Sequence, residues 1–151
     1  NDKAKLSGKK INTAATLPAW SGDDLSLGTL VQKGVVLIWL EPGKEPTRHI
    51  LNDLPLLKNE FDKWEGSFIF LADPSSISAS FNPESIDGLP ERSLFALDRD
   101  LQFMLSVLDN GTVSHPLPVV ISADSEGNIL FTSEGYRIGT GEQILKNINN
   151  R

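Results

Sequence analysis

The apolar residues of this chain form short strand-like runs, separated by segments with helical spacing. Four runs are rich in Val, Ile, Leu and Phe and have the length of buried strands: residues 35–40, 67–72, 93–97 and 118–123. A fifth run, residues 128–132, follows the fourth after Asp-Ser-Glu-Gly, a turn sequence that predicts a β-hairpin. Strands alternating with helices before a terminal hairpin indicate a mixed sheet.

Helical spacing is clearest between residues 47 and 64, where one apolar stripe recurs every three or four positions. The stripe consists of Ile50, Leu54, Leu57, Phe61 and Trp64. Pro55 lies inside it and is predicted to kink the helix, because proline removes one backbone donor and clashes with the preceding turn. Gly66 is predicted to end the helix.

Two further helices are predicted closer to the C-terminus. Residues 99–108 carry Leu101, Met104, Leu105 and Leu108 on one face. A last helix begins at Thr140-Gly141-Glu142-Gln143, which has the pattern of a capping box. Asp73-Pro74 and Asn82-Pro83 each resemble a helix cap followed by proline at the first helical position, and predict short helices.

These elements predict an α/β fold of three layers, α/β/α, with a mixed central sheet and a C-terminal β-hairpin plus helix. The chain has 151 residues, a length that suits one domain. Residues 1–8 are polar and lysine-rich, and are expected to be a flexible lead-in or an interdomain linker. Residues 9–151 are expected to form the domain.

Composition excludes several classes of function. The net charge of −6 disfavours nucleic acid as a partner, and no apolar run approaches the roughly 18 residues of a membrane-spanning helix. The chain contains no cysteine, so it cannot carry out thiol–disulfide chemistry. Two histidines without cysteine leave little material for a zinc site, and we expect no cofactor.

Three segments carry a resemblance to a known family. In the first, the run at 35–40 leads into a Pro-Gly turn, and a second proline follows at a helix start. The second, residues 115–124, reads His-Pro-Leu-Pro-Val-Val-Ile-Ser-Ala-Asp. The third, residues 125–129, is predicted to form a hairpin turn. In this order they resemble the thioredoxin-like fold, in the branch of cell-envelope thiol–disulfide oxidoreductases and peroxiredoxins. The resemblance covers roughly residues 10–149, and it implies a cis Leu117–Pro118 bond.

The same resemblance places this chain's residues at the positions of the redox cysteines. Pro46-Thr47-Arg48 aligns with a Pro-Cys-Arg sequence, so Thr47 stands at the second cysteine and Lys44 at the attacking one. The positive end of a helix stabilises a thiolate at that position, but here the position holds lysine, which is a cation and not a thiolate. Because both cysteines are absent, we expect no thiol–disulfide or peroxidase activity and predict that the domain is not an enzyme.

The family's groove normally receives an extended peptide, which this chain is expected to bind by backbone pairing. The groove residues implied by the resemblance are Glu41, Pro42, Gly43, Lys44, Glu45, Pro46, Thr47, Leu117 and Pro118. The sequence thus predicts a redox-inactive structural or protein-interaction module of a larger bacterial envelope protein. Its expected partner is an extended peptide or an upstream domain of the same chain.

Residues 39–49 also resemble the C-terminal thioredoxin-like domain of bacterial transglutaminase-like surface proteins. This second resemblance implies a periplasmic or surface-anchored location in the cell envelope. The catalytic residues of such a protein would lie upstream of this chain.

Two alternatives remain open at this point. The first is a non-redox enzyme or a metal-binding domain, in which His49 or His115 acts together with Glu41 or Glu45. The second is a domain that only stabilises its neighbour and binds nothing in the groove.

Overall fold

The structure, a computed structural model, describes residues 9–20, 22–78, 80–108 and 115–149. Its strands are β1 (Thr16–Leu17), β2 (Leu25–Ser26), β3 (Val35–Trp39), β4 (Ser67–Ala72), β5 (Ser93–Leu97), β6 (Val119–Ala123) and β7 (Ile129–Glu134). Its α-helices are α1 (Leu27–Leu30), α2 (Glu45–Asp53), α3 (Lys58–Phe61), α4 (Gln102–Leu108) and α5 (Thr140–Asn149). Short 3-10 helices span Val31–Lys33, Leu54–Leu57, Pro74–Ser76, Pro83–Ser85 and Arg99–Leu101. The predicted lead-in, residues 1–8, lies outside the described residues.

The five-stranded sheet has the order β5-β4-β3-β6-β7. Strands β3, β4 and β5 are parallel, whereas β6 pairs antiparallel with both β3 and β7. Every residue of the central strand β3 is 0% exposed, as an unbroken apolar run predicts for a strand covered on both faces. The mixed sheet and the hairpin of β6 and β7 are confirmed.

Helices cover both faces of the sheet and give the predicted three layers. On one face, α1 and α4 pack through Leu27, Met104 and Val107 against a core that includes Trp39. On the other face, α2, α3 and α5 contribute Ile50, Phe61, Ile144 and Ile148 to a second core. Alternate residues of β3 enter opposite cores, because successive side chains of a strand point to opposite faces.

The long helix predicted for residues 47–64 is broken at Pro55. Helix α2 ends at Asp53, a 3-10 turn contains the proline, and α3 follows. Proline fixes its own φ and cannot donate the helical hydrogen bond, so the chain tightens into the 3-10 turn there. The apolar stripe still faces the core, since Ile50, Leu54 and Phe61 are buried.

The predicted capping box at the start of α5 is wrong. The Thr140 hydroxyl donates to the backbone carbonyl of Arg137 over 2.7 Å, and the Gln143 N–H donates to the Gly139 carbonyl. The helical bonding therefore begins before Thr140, and its hydroxyl is occupied by the turn that precedes the helix. The spacing of a capping box recurs in sequences whose helix starts elsewhere, because helix boundaries depend on the tertiary packing of the preceding turn.

Residues 18–20, which precede β2, cover the edge of the sheet that β5 forms. The Trp20 N–H donates to the Phe95 carbonyl over 2.9 Å, and the Leu97 N–H donates to the Pro18 carbonyl over 2.8 Å. Trp20 is partly buried and contacts Phe81 edge to face, with 5.5 Å between ring centroids. The segment thereby pairs backbone groups that an exposed edge strand would leave open.

No helix within the described part of the chain is long and apolar enough to cross a membrane.

Candidate functional site

A cleft of about 350 Å³ opens at the carboxyl ends of the central parallel strands. Glu41 follows β3 by two residues and Asp73 follows β4 directly. Because parallel strands end at the same edge of a sheet, residues that follow them meet there, and ligands commonly bind in such crevices. The cleft is lined by Leu40, Glu41, Asp73, Ser76, Leu101, His115, Pro116 and Leu117.

The loop after β3 is held by backbone geometry and one buried hydroxyl. Gly43 has a φ of 86°, a conformation that favours glycine, and it turns the chain toward α2. Thr47 is only 2% exposed, and its hydroxyl accepts a hydrogen bond of 2.9 Å from the Glu41 N–H. Lys44 is the exposed N-cap residue of α2, and its side chain makes no cap. The residue aligned with the attacking cysteine thus stands at the helix N-terminus.

The opposite wall is the segment before β6. Its Leu117–Pro118 peptide bond is cis. The Gly135 N–H donates to the carbonyls of both Pro116 and Pro118, each over 2.9 Å, which ties the segment to the end of β7. Leu117 is the residue between Pro116 and Pro118 in the chain. No hydrogen bond joins its backbone to any residue that the structure describes.

The side chain of His115, which lines the cleft, is 7% exposed. Its Nδ1 lies 2.8 Å from Oε1 of Glu134. Its Nε2 is buried and has no hydrogen-bond partner among the residues described here. Nε2 is therefore an unused hydrogen-bonding atom of a residue that lines the cleft.

Asp73 supplies a second carboxylate to the cleft, beside Glu41. Desolvation opposes its ionisation, but hydrogen bonds donated by the Ser75 hydroxyl and N–H, with the nearby charge of Arg99, hold the pKa of Asp73 below its ordinary value. Asp73 is therefore ionised at neutral pH. Its N-cap role was predicted from Asp-Pro, and the Ser75 N–H confirms it.

His49 has surroundings different from those of His115. Its Nε2 lies 3.1 Å from Oε1 of Glu45 on the exposed side of α2, and its ring stacks on Tyr136 with 5.0 Å between centroids. The Tyr136 hydroxyl donates to a carboxylate oxygen of Asp53. This hydrogen bond raises the pKa of Tyr136, and desolvation acts in the same direction.

The Tyr136–Asp53 bond makes a prediction about stability and pH. Replacing Tyr136 with phenylalanine is expected to lower the free energy of unfolding by about 1 kcal/mol at neutral pH. Because the folded pKa lies above the unfolded value near 10, the contribution is complete below about pH 10 and is lost as pH rises through the folded pKa. Urea unfolding of both proteins at neutral and alkaline pH measures the difference.

Tyr136 is the chain's single tyrosine, so a near-ultraviolet absorbance titration of the folded protein reports its ionisation alone. We expect a midpoint above 10 that falls when Asp53 is replaced with asparagine. A midpoint at or below 10 would contradict the assigned hydrogen bond.

The structure brings together part of the predicted groove. Glu41 and Leu117 line the cleft, together with the predicted histidine His115. None of the remaining predicted groove residues is in the cleft lining: Pro42 is partly buried, Gly43, Lys44, Glu45 and Pro46 are exposed, and Thr47 and Pro118 are buried. Sequence reasoning missed the other lining residues, which are Leu40, Asp73, Ser76, Leu101 and Pro116. The position of Asp73 directly after a parallel strand was a usable signal, but its Asp-Pro pattern was interpreted only as a helix cap.

The metal site considered for His49, His115, Glu41 and Glu45 is not assembled. The two histidines have different carboxylate partners. Within the described ranges, no group of three or more His, Cys, Asp or Glu is placed to hold a metal ion. The acid–base form of this alternative stays a prediction.

No protein-family model matches the sequence, and no curated protein sequence matches it. Solved structures do match. A structure described as the thiol:disulfide interchange protein DsbE of Chlorobium tepidum has a TM-score of 0.70 and 16% identity, covering 94% of this chain and 96% of that chain. The bacterioferritin comigratory protein of Xanthomonas campestris, studied for alkyl peroxide reduction, has a TM-score of 0.72 and 12% identity, covering 92% and 91%.

The exposed lipoprotein thioredoxin Etrx1 of Streptococcus pneumoniae also matches, with a TM-score of 0.64 and 14% identity, covering 91% of this chain and 98% of that chain. Identities this low show a shared fold only. Nothing in the comparisons supports the transglutaminase-like resemblance. This chain has the thioredoxin-like fold of thiol:disulfide oxidoreductases, and it has no cysteine.

Proposed function

We propose that this domain binds an extended peptide segment without forming a covalent bond to it. The segment lies in the cleft that Glu41, Asp73 and Leu117 line. The observation that carries the proposal is the cleft itself, which stands at the carboxyl end of the central strands of a thioredoxin-like sheet without any thiol nearby.

The backbone of Leu117 supports this mode of binding. The carbonyl and the N–H of one trans peptide unit point in opposite directions. Pro116 directs its carbonyl to Gly135, so the N–H of Leu117, which belongs to the same peptide unit, faces away from Gly135. A peptide strand laid along Leu117 can accept a hydrogen bond from this N–H, as in strand addition to a sheet edge.

Redox chemistry has no place in this proposal, because the chain lacks the nucleophile. Lys44 and Thr47 occupy the positions aligned with the two cysteines, and Thr47 uses its hydroxyl to hold the loop. The domain is proposed to act as a non-catalytic module of a larger bacterial envelope protein. The match to an exposed lipoprotein thioredoxin supports that location. The proposed partners are an extended peptide or an upstream domain of the same chain.

Blocked heptapeptides test the proposal, each with a central variable residue in an alanine sequence. They are titrated into the ¹⁵N-labelled protein, and amide shifts are followed by NMR. We expect saturable shifts at Glu41 and Leu117 for at least one peptide. Replacing Ser76 with phenylalanine fills the cleft and is expected to weaken that binding by about tenfold or more, since the peptide loses its contact surface.

The matched control is Ser125→Phe, the same substitution at an exposed serine in the β6–β7 turn. Ser125 lines a different cleft, together with residues Gln32, Lys33 and Gly34. This variant is expected to bind like the parent protein. The proposal fails if no peptide in the panel gives saturable shifts, or if both phenylalanine variants bind equally well.

A further inference from the structure

We propose that the cleft accepts a cationic side chain, lysine or arginine, from the bound peptide. This inference rests on the proposed peptide binding and names the class of residue that the cleft selects. It follows from the polar groups that the cleft presents and from the apolar residues that surround them.

The charged groups in the cleft lining are acceptors. Glu41 and Asp73 contribute carboxylates, and both residues are half-buried. The Glu41 carboxylate has no hydrogen bond or ion pair with any residue that the structure describes, whereas Asp73 is partly compensated by Arg99. Glu41 is therefore the uncompensated charge of the cleft. A cation that enters the cleft would contact a negatively charged carboxylate at a partly buried position. Ion pairs are stronger there than on an open surface, because less solvent screens the two charges.

His115 gives an independent indication of a missing hydrogen-bond partner. Its side chain is more than nine-tenths buried, and its Nδ1 faces Glu134. The unpartnered Nε2 belongs to a ring that lines the cleft. A buried polar atom without a partner is costly, and a polar group of the ligand, directly or through a water that enters with it, removes that cost. Protein atoms cover Nε2, so contact requires a side-chain adjustment of the kind common on binding.

The apolar part of the lining fits the stem of the same side chain. Leu101, Pro116 and Leu117 add apolar side chains to the same lining as the two carboxylates. Lysine and arginine combine a long apolar stem with a charged end, and they pack the stem on apolar surface while the charge meets a polar partner. An acidic side chain would be repelled by the two carboxylates. A purely aliphatic side chain would leave the Glu41 carboxylate without an ionic partner.

The test compares four blocked heptapeptides that differ only at the central residue: lysine, arginine, norleucine and glutamate. We expect the lysine or arginine peptide to bind about tenfold tighter than the norleucine peptide, and the glutamate peptide to bind most weakly. Glu41→Gln is expected to weaken the cationic peptides about fivefold more than it weakens the norleucine peptide. The preference for a cation should fall between about 0.05 M and about 0.5 M NaCl.

Glu126→Gln is the matched control, because it removes the same charge from an exposed position in the β6–β7 turn. It is expected to leave all four affinities unchanged. Equal binding of the norleucine and lysine peptides, or equal losses in both glutamine variants, would overturn the inference while peptide binding itself stands. If none of the peptides gives saturable shifts at Glu41 and Leu117, the proposed function fails and this inference fails with it. The relative affinities of the lysine and arginine peptides identify which cation is preferred.

Discussion

Replacing Asp98 with alanine is expected to lower the free energy of unfolding by about 3–5 kcal/mol. Asp98 is 5% exposed and accepts three hydrogen bonds. The indole Nε1–H of Trp39 donates over 2.8 Å, and the N–H groups of Phe103 and Met104 donate over 2.9 and 3.0 Å. Alanine would leave these donors without an acceptor inside the protein, and each unsatisfied buried group costs about 1–3 kcal/mol.

The Asp98 carboxylate also connects parts of the fold that are distant in sequence. It joins the end of β3, through Trp39, to the first turn of α4. Its loss should therefore loosen α4 as well as reduce global stability. Hydrogen exchange is expected to show faster exchange of the Phe103 and Met104 amides in the variant, because these amides lose their acceptor.

Chemical unfolding measured by circular dichroism and tryptophan fluorescence tests the prediction. The matched control is Asp87→Ala, at an exposed position, where we expect a change within about 0.5 kcal/mol. Asp98→Asn retains one acceptor oxygen and is expected to fall between the two. A loss below about 1 kcal/mol for Asp98→Ala would contradict the assigned network.

The double variant Lys44→Cys/Thr47→Cys is expected to form a reversible intramolecular disulfide, which the parent chain cannot form. The two positions are three residues apart at the start of α2, and that spacing places Cα atoms about 5 Å apart in a helical turn. This separation lies within the range that disulfides span. The thiol at position 44 would also lie at a helix N-terminus, so its pKa is expected below the ordinary 8.5 or so.

Thiol counting, and equilibration with glutathione buffers of graded potential, measure this outcome. The control Lys44→Cys/Asn52→Cys places the second thiol eight residues along the same helix, about 12 Å away, beyond the reach of a disulfide. That control should keep two free thiols under the same conditions. Two thiols that stay reduced in the first variant would show that positions 44 and 47 do not have the geometry that a disulfide requires.

Thr47→Cys also weakens the acceptor for the Glu41 N–H, so the free energy of unfolding is expected to fall by about 1 kcal/mol.

The fold was largely predictable because its strands have strong local signals. The run at 35–40 is apolar at every position, and the structure places it at the centre of the sheet with no exposed residue in β3. Pro55 interrupts its helix where the chemistry of proline requires. The start of α5 was predicted less well, because the Thr140 hydroxyl has a competing acceptor in the turn at Arg137.

The candidate site was predictable only in part. Glu41, His115 and Leu117 were found through the family resemblance, which marks the loops that meet in a thioredoxin-like fold. Asp73 and Ser76 were missed because they come from a third segment whose local pattern fully explains them as a helix start. The network of Asp98 was also missed, since its partner Trp39 is 59 residues away in sequence.

By itself, the sequence determined that this protein has strands buried on both faces, helices around them, and no thiol chemistry. Those properties depend on residue types and on spacings of two to four residues, which the sequence states directly. Only the tertiary structure decided that Glu41, Asp73 and His115 share one cleft, and that His49 is not among the residues lining it. Contacts between residues distant in sequence are set by sheet order and loop closure, and one sequence carries no local signal for either.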